Sequence, residues 1–261
     1  MNKFTIGQWV GAFILALLLC FAFLQPYFYP ADIGFQDLSN ILAQPDSESW
    51  FGTDHLGRDM LARLASAIRL SFGLSLFSVA CALLAGLATG ILAGLFGSWI
   101  DRVFSFLCDL IMALPGLLLI LLFAALSPGS FWTLYLGISL VMWVEFFRVI
   151  RAITATIASS AELESSRLMG MPLWYCIKRH LLPRLLPLVA TLTAFSIGNA
   201  ILALATLGFV SVGLRPPTAE LGLMMTELFP YYYQAPLIFL QPVAVVFLLV
   251  LSLQLLAGKI K

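Results

Sequence analysis

The sequence predicts an all-α, polytopic membrane protein with six transmembrane helices, and three observations carry that prediction. Of 261 residues, 61% are hydrophobic and 10% are charged, with a mean hydropathy of +1.01; soluble domains carry roughly 25% charged residues. Six apolar runs approach the ~20 residues that a helix needs to cross a hydrocarbon core of about 30 Å. Lysine and arginine concentrate in alternate connecting segments, the pattern expected when those segments share one side of a bilayer.

The first run, Trp9–Tyr27, follows Lys3 and has the outline of a signal peptide. Its apolar centre, Phe13–Leu24, continues into Tyr27 and Tyr29 without a small-residue cleavage pattern, so it reads as a retained span. The others are Phe72–Phe96, Phe104–Leu126, Phe131–Phe147, Leu186–Val210 and Leu237–Ala257. Tyr27, Tyr29, Trp99, Trp132, Trp143 and Tyr231–Tyr233 stand near run ends, as interfacial aromatics do. Residues 1–70 read as an N-terminal transmembrane helix with an extracytoplasmic loop. Residues 71–261 read as a five-helix core carrying a polar loop at about 158–185.

With the N-terminus inside, the inner segments hold Lys3, Arg102, Arg148, Arg151, Arg167, Lys178, Arg179, Arg184, Lys259 and Lys261, and the outer ones Arg58, Arg63, Arg69 and Arg215. Ten against four places both termini and the polar loop in the cytoplasm. The outer segments are acidic: Asp32, Asp37, Asp46, Glu48, Asp54 and Asp59 precede the second run, and Glu220 and Glu227 follow the fifth.

The polar loop, AELESSRLMGMPLWYCIKRHLLPRLLP from Ala161 to Pro187, reads as two short helices around a glycine. Ser159 or Ser160 suits an N-cap, with Glu162 and Glu164 near the positive end of the helix dipole. Gly170 suits the residue just past the helix end and Pro172 the start of a second helix, Leu173–Leu182, which Pro183 and Pro187 should end before the fifth span. Leu173, Trp174, Ile177 and Leu181 recur at helical spacing, and Trp174, Ile177 and Leu181 ask for a covering surface, either the bundle or a partner. A plain tether that keeps positive charge inside is the competing reading.

Several functions are disfavoured. The net charge of +1 is no nucleic-acid signature. Cys20, Cys81, Cys108 and Cys176 form no CxxC pair and read as small core residues. No GxxxxGK[ST] occurs, so the chain cannot cradle ATP itself. No HExxH or other metal-ligand spacing is present, and His55 and His180 fall on opposite sides of the membrane. No catalytic residue, metal site or cofactor is therefore expected. Asp109 and Glu145 lie near the inner ends of their spans, which leaves little midplane chemistry for a secondary transporter. Gly86, Gly90 and Gly94 form a small-xxx-small stripe for close helix packing, with lining of the path as the weaker alternative, and Met224–Met225 reads as soft packing rather than a metal site.

Glu164–Ser165–Ser166, Gly170, and His180–Leu181–Leu182–Pro183 resemble the Glu-Ala-Ala loop of ABC importer permeases. FGTDHLGRD, Phe51–Asp59, resembles a signature of the dipeptide, oligopeptide and nickel branch, as do Pro216–Gly222 and Asp109 ahead of Ala113–Leu114–Pro115. The resemblance spans about Phe51 to Leu256. It implies a type I ABC importer-like permease fold and a subunit moving peptides, nickel or other metal chelates across a bacterial inner membrane. It also implies a second homologous permease subunit in a heterodimer, cytosolic ATP-binding subunits, an extracytoplasmic solute-binding protein and surrounding membrane lipid. On this resemblance Glu164, Gly170, Met171, Pro172, Leu173 and Trp174 couple to the ATPase, with Glu164 pairing with a nearby base. From the residues themselves, Asp54, Gly57, Arg58 and Asp59 read as an ion-paired loop scaffold, with direct contact to solute as the weaker alternative. The alternative is a secondary transporter or channel subunit not driven by ATP. The chain departs from the branch in Ser165 and Ser166 for two alanines, in Gly208–Gly213 for a Ser-Phe-Leu-Gly-Leu-Gly run, and in Leu221 for tryptophan. It also stops at Lys261, without the longer basic tail common in the branch, which leaves open a regulatory contact through such a tail.

Overall fold

Backbone in hydrocarbon has no water to bond to, so an apolar run must satisfy its N–H and C=O groups within its own helix. A computed structural model describes residues 5–47 and 49–258 and shows that outcome: helices throughout, with a single isolated bridge, Thr53 to Asp59, among the described residues. Lys3, Glu48, Lys259 and Lys261, used in the charge count, lie outside the described residues. The helices are α1 (Ile6–Phe28), α2 (Met60–Phe96), α3 (Ser98–Met112), α4 (Gly116–Leu126), α5 (Phe131–Ala158), α6 (Ala161–Leu168), α7 (Leu173–Cys176), α8 (Leu182–Phe209), α9 (Leu221–Leu228) and α10 (Pro236–Leu256). A π-helical segment, Ile177–Leu181, joins α7 to α8.

Five stretches are long and apolar enough to cross a membrane: α1, α2, α5, Leu173–Phe209 and α10. The sixth expected span, Phe104–Leu126, is broken: α3 and α4 meet at an 81° bend and count as one crossing only as a pair. Pro115 explains the break, because it has no N–H and its ring displaces the carbonyl four residues earlier. The second helix starts at Met60 rather than near Phe72, since its first turns carry the buried Arg63 and escape a hydropathy reading. The expected stop at Pro183 and Pro187 does not occur. The wider π turn ends just before Pro183, which sits in the first turn of α8 where a missing N–H costs little, and Pro187 is absorbed inside the helix.

Packing centres on α2 against α5. A Cβ on Gly86 would lie 2.5 Å from Phe146 Cβ, one on Gly90 2.9 Å from Ile150 Cγ2 and one on Gly94 2.5 Å from Thr154 Cβ. The contacts advance together along both helices, so α2 and α5 run parallel, and the small residues let their backbones approach. Antiparallel α1 and α10 close the other side, where Gly11 abuts Ser252 and Gln8 Nε2 donates to the Gly258 carbonyl at 3.0 Å. Met60, Ile68, Ile138, Ile201 and Leu249 are among the buried residues of the shared core.

Candidate functional site

The loop at one end of the bundle is a defined elbow. Helix α6 ends in a Schellman arrangement: Met171 N donates to the Ser166 carbonyl at 3.1 Å and Gly170 N to the Arg167 carbonyl at 3.0 Å. This needs a left-handed residue after the helix, and Gly170 supplies it with φ +76°. A Cβ there would meet nothing within 4 Å, so backbone conformation alone demands glycine within this chain. Ser160 occupies the N-cap position of α6, but its hydroxyl donates to the Ile157 carbonyl at 2.7 Å and makes no cap bond.

Two side-chain ties fasten the elbow to the start of the next span. Arg184 Nη2 donates to Glu162 Oε2 at 2.6 Å, and Ser166 Oγ lies 2.9 Å from His180 Nε2. The acid that pairs is thus Glu162; Glu164 is exposed, and among the described residues its side chain makes no ion pair or hydrogen bond. Leu163, Cys176 and Leu181 are buried beneath the elbow, and Ile177 is half-buried. Of the expected apolar face Trp174 is the most open, at 64% exposure. It belongs to a larger tip that sequence reasoning only partly located: Leu168 is 83% exposed, Met169 68%, and Met171, Pro172 and Leu173 are exposed beside them. Leu168 and Met169 carried a usable signal, since they immediately precede the turn glycine.

At the opposite end, FGTDHLGRD folds into a scaffold against α2 and α9. Asp59 caps α2, accepting from Ala62 N at 2.8 Å on one oxygen and from the Tyr29 hydroxyl at 2.8 Å on the other. Gly57, at φ +72°, lies so close to Asp37 that any Cβ would fall on its carbonyl. Asp54 Oδ1 accepts from Leu56 N and Arg58 N, while its Oδ2 accepts from Arg58 Nε at 2.6 Å and lies 3.3 Å from Arg63 Nε. Arg58 and Arg63 both reach Glu227 Oε2, at 3.0 and 2.8 Å. Asp54 and both arginines are no more than 2% exposed. Sequence reasoning missed Arg63 and Glu227, because a partner on a distant segment leaves no local pattern.

His55 stacks on Tyr231, with ring centroids 5.8 Å apart, and burial holds its imidazole below the ordinary histidine range. Its ring nitrogen, an Asp54 oxygen and a Glu227 oxygen lie within 4.8 Å of one another, an arrangement that metal ions use. Both carboxylates are already held by arginines, and a cation there would face two guanidinium groups. The cluster is an electrostatic clamp between the first loop and α9.

The segment before α9 is as tightly built. Glu220 caps α9 through Leu223 N at 2.8 Å and is 1% exposed, and burial pushes its carboxyl up to about 7. Gly208 and Gly222 make room: a Cβ on the first would meet the Glu220 carboxylate, and one on the second the Ala205 backbone.

A sequence profile described as binding-protein-dependent transport system inner membrane component matches residues 86–260. The chain belongs to this family. The permease is 31% identical over 252 residues to the glutathione transport system permease protein GsiD of Pectobacterium atrosepticum, covering 96% of this chain and 83% of that one. It is 30% identical over 260 residues to the dipeptide transport system permease protein DppC of Alkalihalophilus pseudofirmus (100% and 84%), and 29% identical over 264 residues to the nickel transport system permease protein NikC of Escherichia coli (100% and 95%). An inward-facing structure of the MetNI methionine ABC transporter contains a chain of the same fold, with a TM-score of 0.55 at 18% identity over 73% of this chain and 92% of that one. The permease is thus a multi-pass inner-membrane transport component rather than an enzyme, and it has the ABC importer permease fold. The matched segment includes the whole elbow and α9, whereas the FGTDHLGRD scaffold precedes it.

Proposed function

We propose that the permease works in a heterodimer with a second, homologous permease subunit, and that cytosolic ATP-binding subunits drive it by gripping the elbow. One observation carries this reading: Leu168, Met169, Met171, Leu173 and Trp174 form an exposed apolar tip. Apolar surface of that kind, held out by Gly170 and braced by Glu162–Arg184 and Ser166–His180, calls for a protein partner. Glu164, Gly170, Met171, Pro172, Leu173 and Trp174 are the coupling set. Differential contact with the tip in the two nucleotide states supplies the free energy that moves the spans.

In this reading both termini and the elbow face the cytoplasm. Residues 1–70 supply the first span and the extracytoplasmic loop, and residues 71–261 the five-helix core. A solute-binding protein docks on the outer loops, which Asp54, Gly57, Arg58 and Asp59 hold in shape. Lipid covers the remaining apolar surface. The cargo is a small peptide or a nickel or other metal chelate, the range suggested by relatives named for glutathione, dipeptides and nickel. Trp174→Asp tests the coupling: the variant should insert and retain the second permease but lose the co-purifying ATPase. Unchanged ATPase recovery and transport would refute the assignment.

A further inference from the structure

Glu145 is an acid inside a membrane span that has found no partner. The sequence reading places it near the inner end of its span, but α5 runs on to Ala158 and leaves Glu145 half-buried at mid-helix, where among the described residues its side chain makes no hydrogen bond or ion pair. The neighbouring charges are matched: Arg148 Nη2 pairs with Asp109 at 2.7 Å, and Arg151 Nη2 donates to Asp101 Oδ2 at 2.6 Å. Glu145 instead lines a cavity of about 280 Å³, with Met112, Leu114, Pro115, Gly116 and Val141 around it.

The cavity opens where the third span breaks. The last carbonyls of a helix have no partner within it, and the residue four beyond Ile111 is Pro115, which has no N–H to offer. The C-terminal end of α3, with Ile111 and Met112, lines the same cavity as Glu145 and turns its negative dipole end toward it. At the start of α4 one of the helix's unpaired donors is satisfied, since Leu118 N donates to the Pro115 carbonyl at 2.9 Å. One carboxylate with carbonyls and apolar walls favours a single positive charge. A divalent ion would require several more ligands than the cavity presents. An ionisable residue at membrane depth that faces a cavity marks a path for solute.

We propose that Glu145 is a cation-recognising station on the transport path, which receives an ammonium group of the cargo as it passes the bend in the third span. This rests on the permease reading and deepens it by assigning a chemical preference to one point along the path.

The test uses the assembled complex in membrane vesicles, with Leu114→Cys or Met112→Cys placed in the cavity and Cys20 and Cys81 replaced by alanine. Cys108 and Cys176 are buried and are kept, and labelling of the chain without the added cysteine is subtracted. The probes are a trimethylammonium methanethiosulfonate and its sulfonate counterpart. With Glu145 present, the cationic reagent should label faster than the anionic one by roughly tenfold more than it does a free thiol, and Glu145→Gln should abolish that preference. Equal preference in both backgrounds overturns the proposal. So does failure of both reagents at both positions, which would mean that a partner subunit covers the cavity. ATPase recovery from the same vesicles separates the two readings: charge-selective labelling without an associated ATPase refutes the coupling reading and spares this one.

Discussion

Replacing Glu227 with glutamine removes one charge from a buried cluster of four. Arg58 and Arg63 are 2% and 1% exposed, and they face Asp54, 2% exposed, and Glu227, 13% exposed. Without Glu227 two guanidinium groups share Asp54, whose Oδ1 is already committed to Leu56 N and Arg58 N. A buried charge stripped of its partner costs about 3–5 kcal/mol. In a chain of this size that lowers the melting temperature on the order of 10 °C. The assay is thermal unfolding of the purified complex at neutral pH. The double variant Arg63→Met/Glu227→Leu keeps only the neutral Arg58–Asp54 pair, so it should recover more than half of the loss. A shift under 2 °C for Glu227→Gln, or a double variant equal to the sum of its singles, would refute a coupled charge cluster.

Gly170→Ala should weaken the elbow by about 1–2 kcal/mol through left-handed strain alone, with Gly170→Asn milder, because none of the described residues crowds the position. A Gly170→Val loss of ATPase binding much larger than that of Gly170→Ala would then report the partner's surface, and co-purification measures it. Glu220, with its carboxyl raised to about 7, binds a proton more tightly when folded than unfolded. Its contribution is fully present below pH ~4.5 and lost as pH rises through about 7, on the order of 3 kcal/mol; Glu220→Gln should flatten that part of the stability–pH curve. Gly86→Ala should destabilise by about 1–3 kcal/mol against Phe146, whereas Gly73→Ala, which meets nothing within 4 Å, should be neutral or stabilising, as melting temperatures will show.

The helical architecture was legible because lipid allows little else: length and hydropathy located most span cores within a turn or two of their observed ends. The break in the third span was written in Pro115, yet the continuous hydropathy on either side concealed it. Pro183 misled in the opposite sense, because a π segment cannot be read from residue types. At the elbow, the turn at Gly170 follows from local backbone chemistry and could be read from one residue. The choice of Glu162 over Glu164 as the paired acid depends on how α6 is rotated against α8, which only packing decides. The Asp54–Arg58–Arg63–Glu227 clamp shows the same limit: Asp54 and Arg58 sit four apart in the chain, whereas Glu227 arrives from a segment beyond the fifth span.

The central claim is that the elbow tip sits on a cytosolic ATPase subunit, and a photocrosslinking residue at Met171 in the intact membrane complex tests it most directly. The account predicts a crosslinked product containing the ATPase, with a yield that differs between ATP- and ADP-bound states, and none from the same probe at Leu84 on α2. A Met171 probe that captures only lipid or the second permease in both nucleotide states would contradict it.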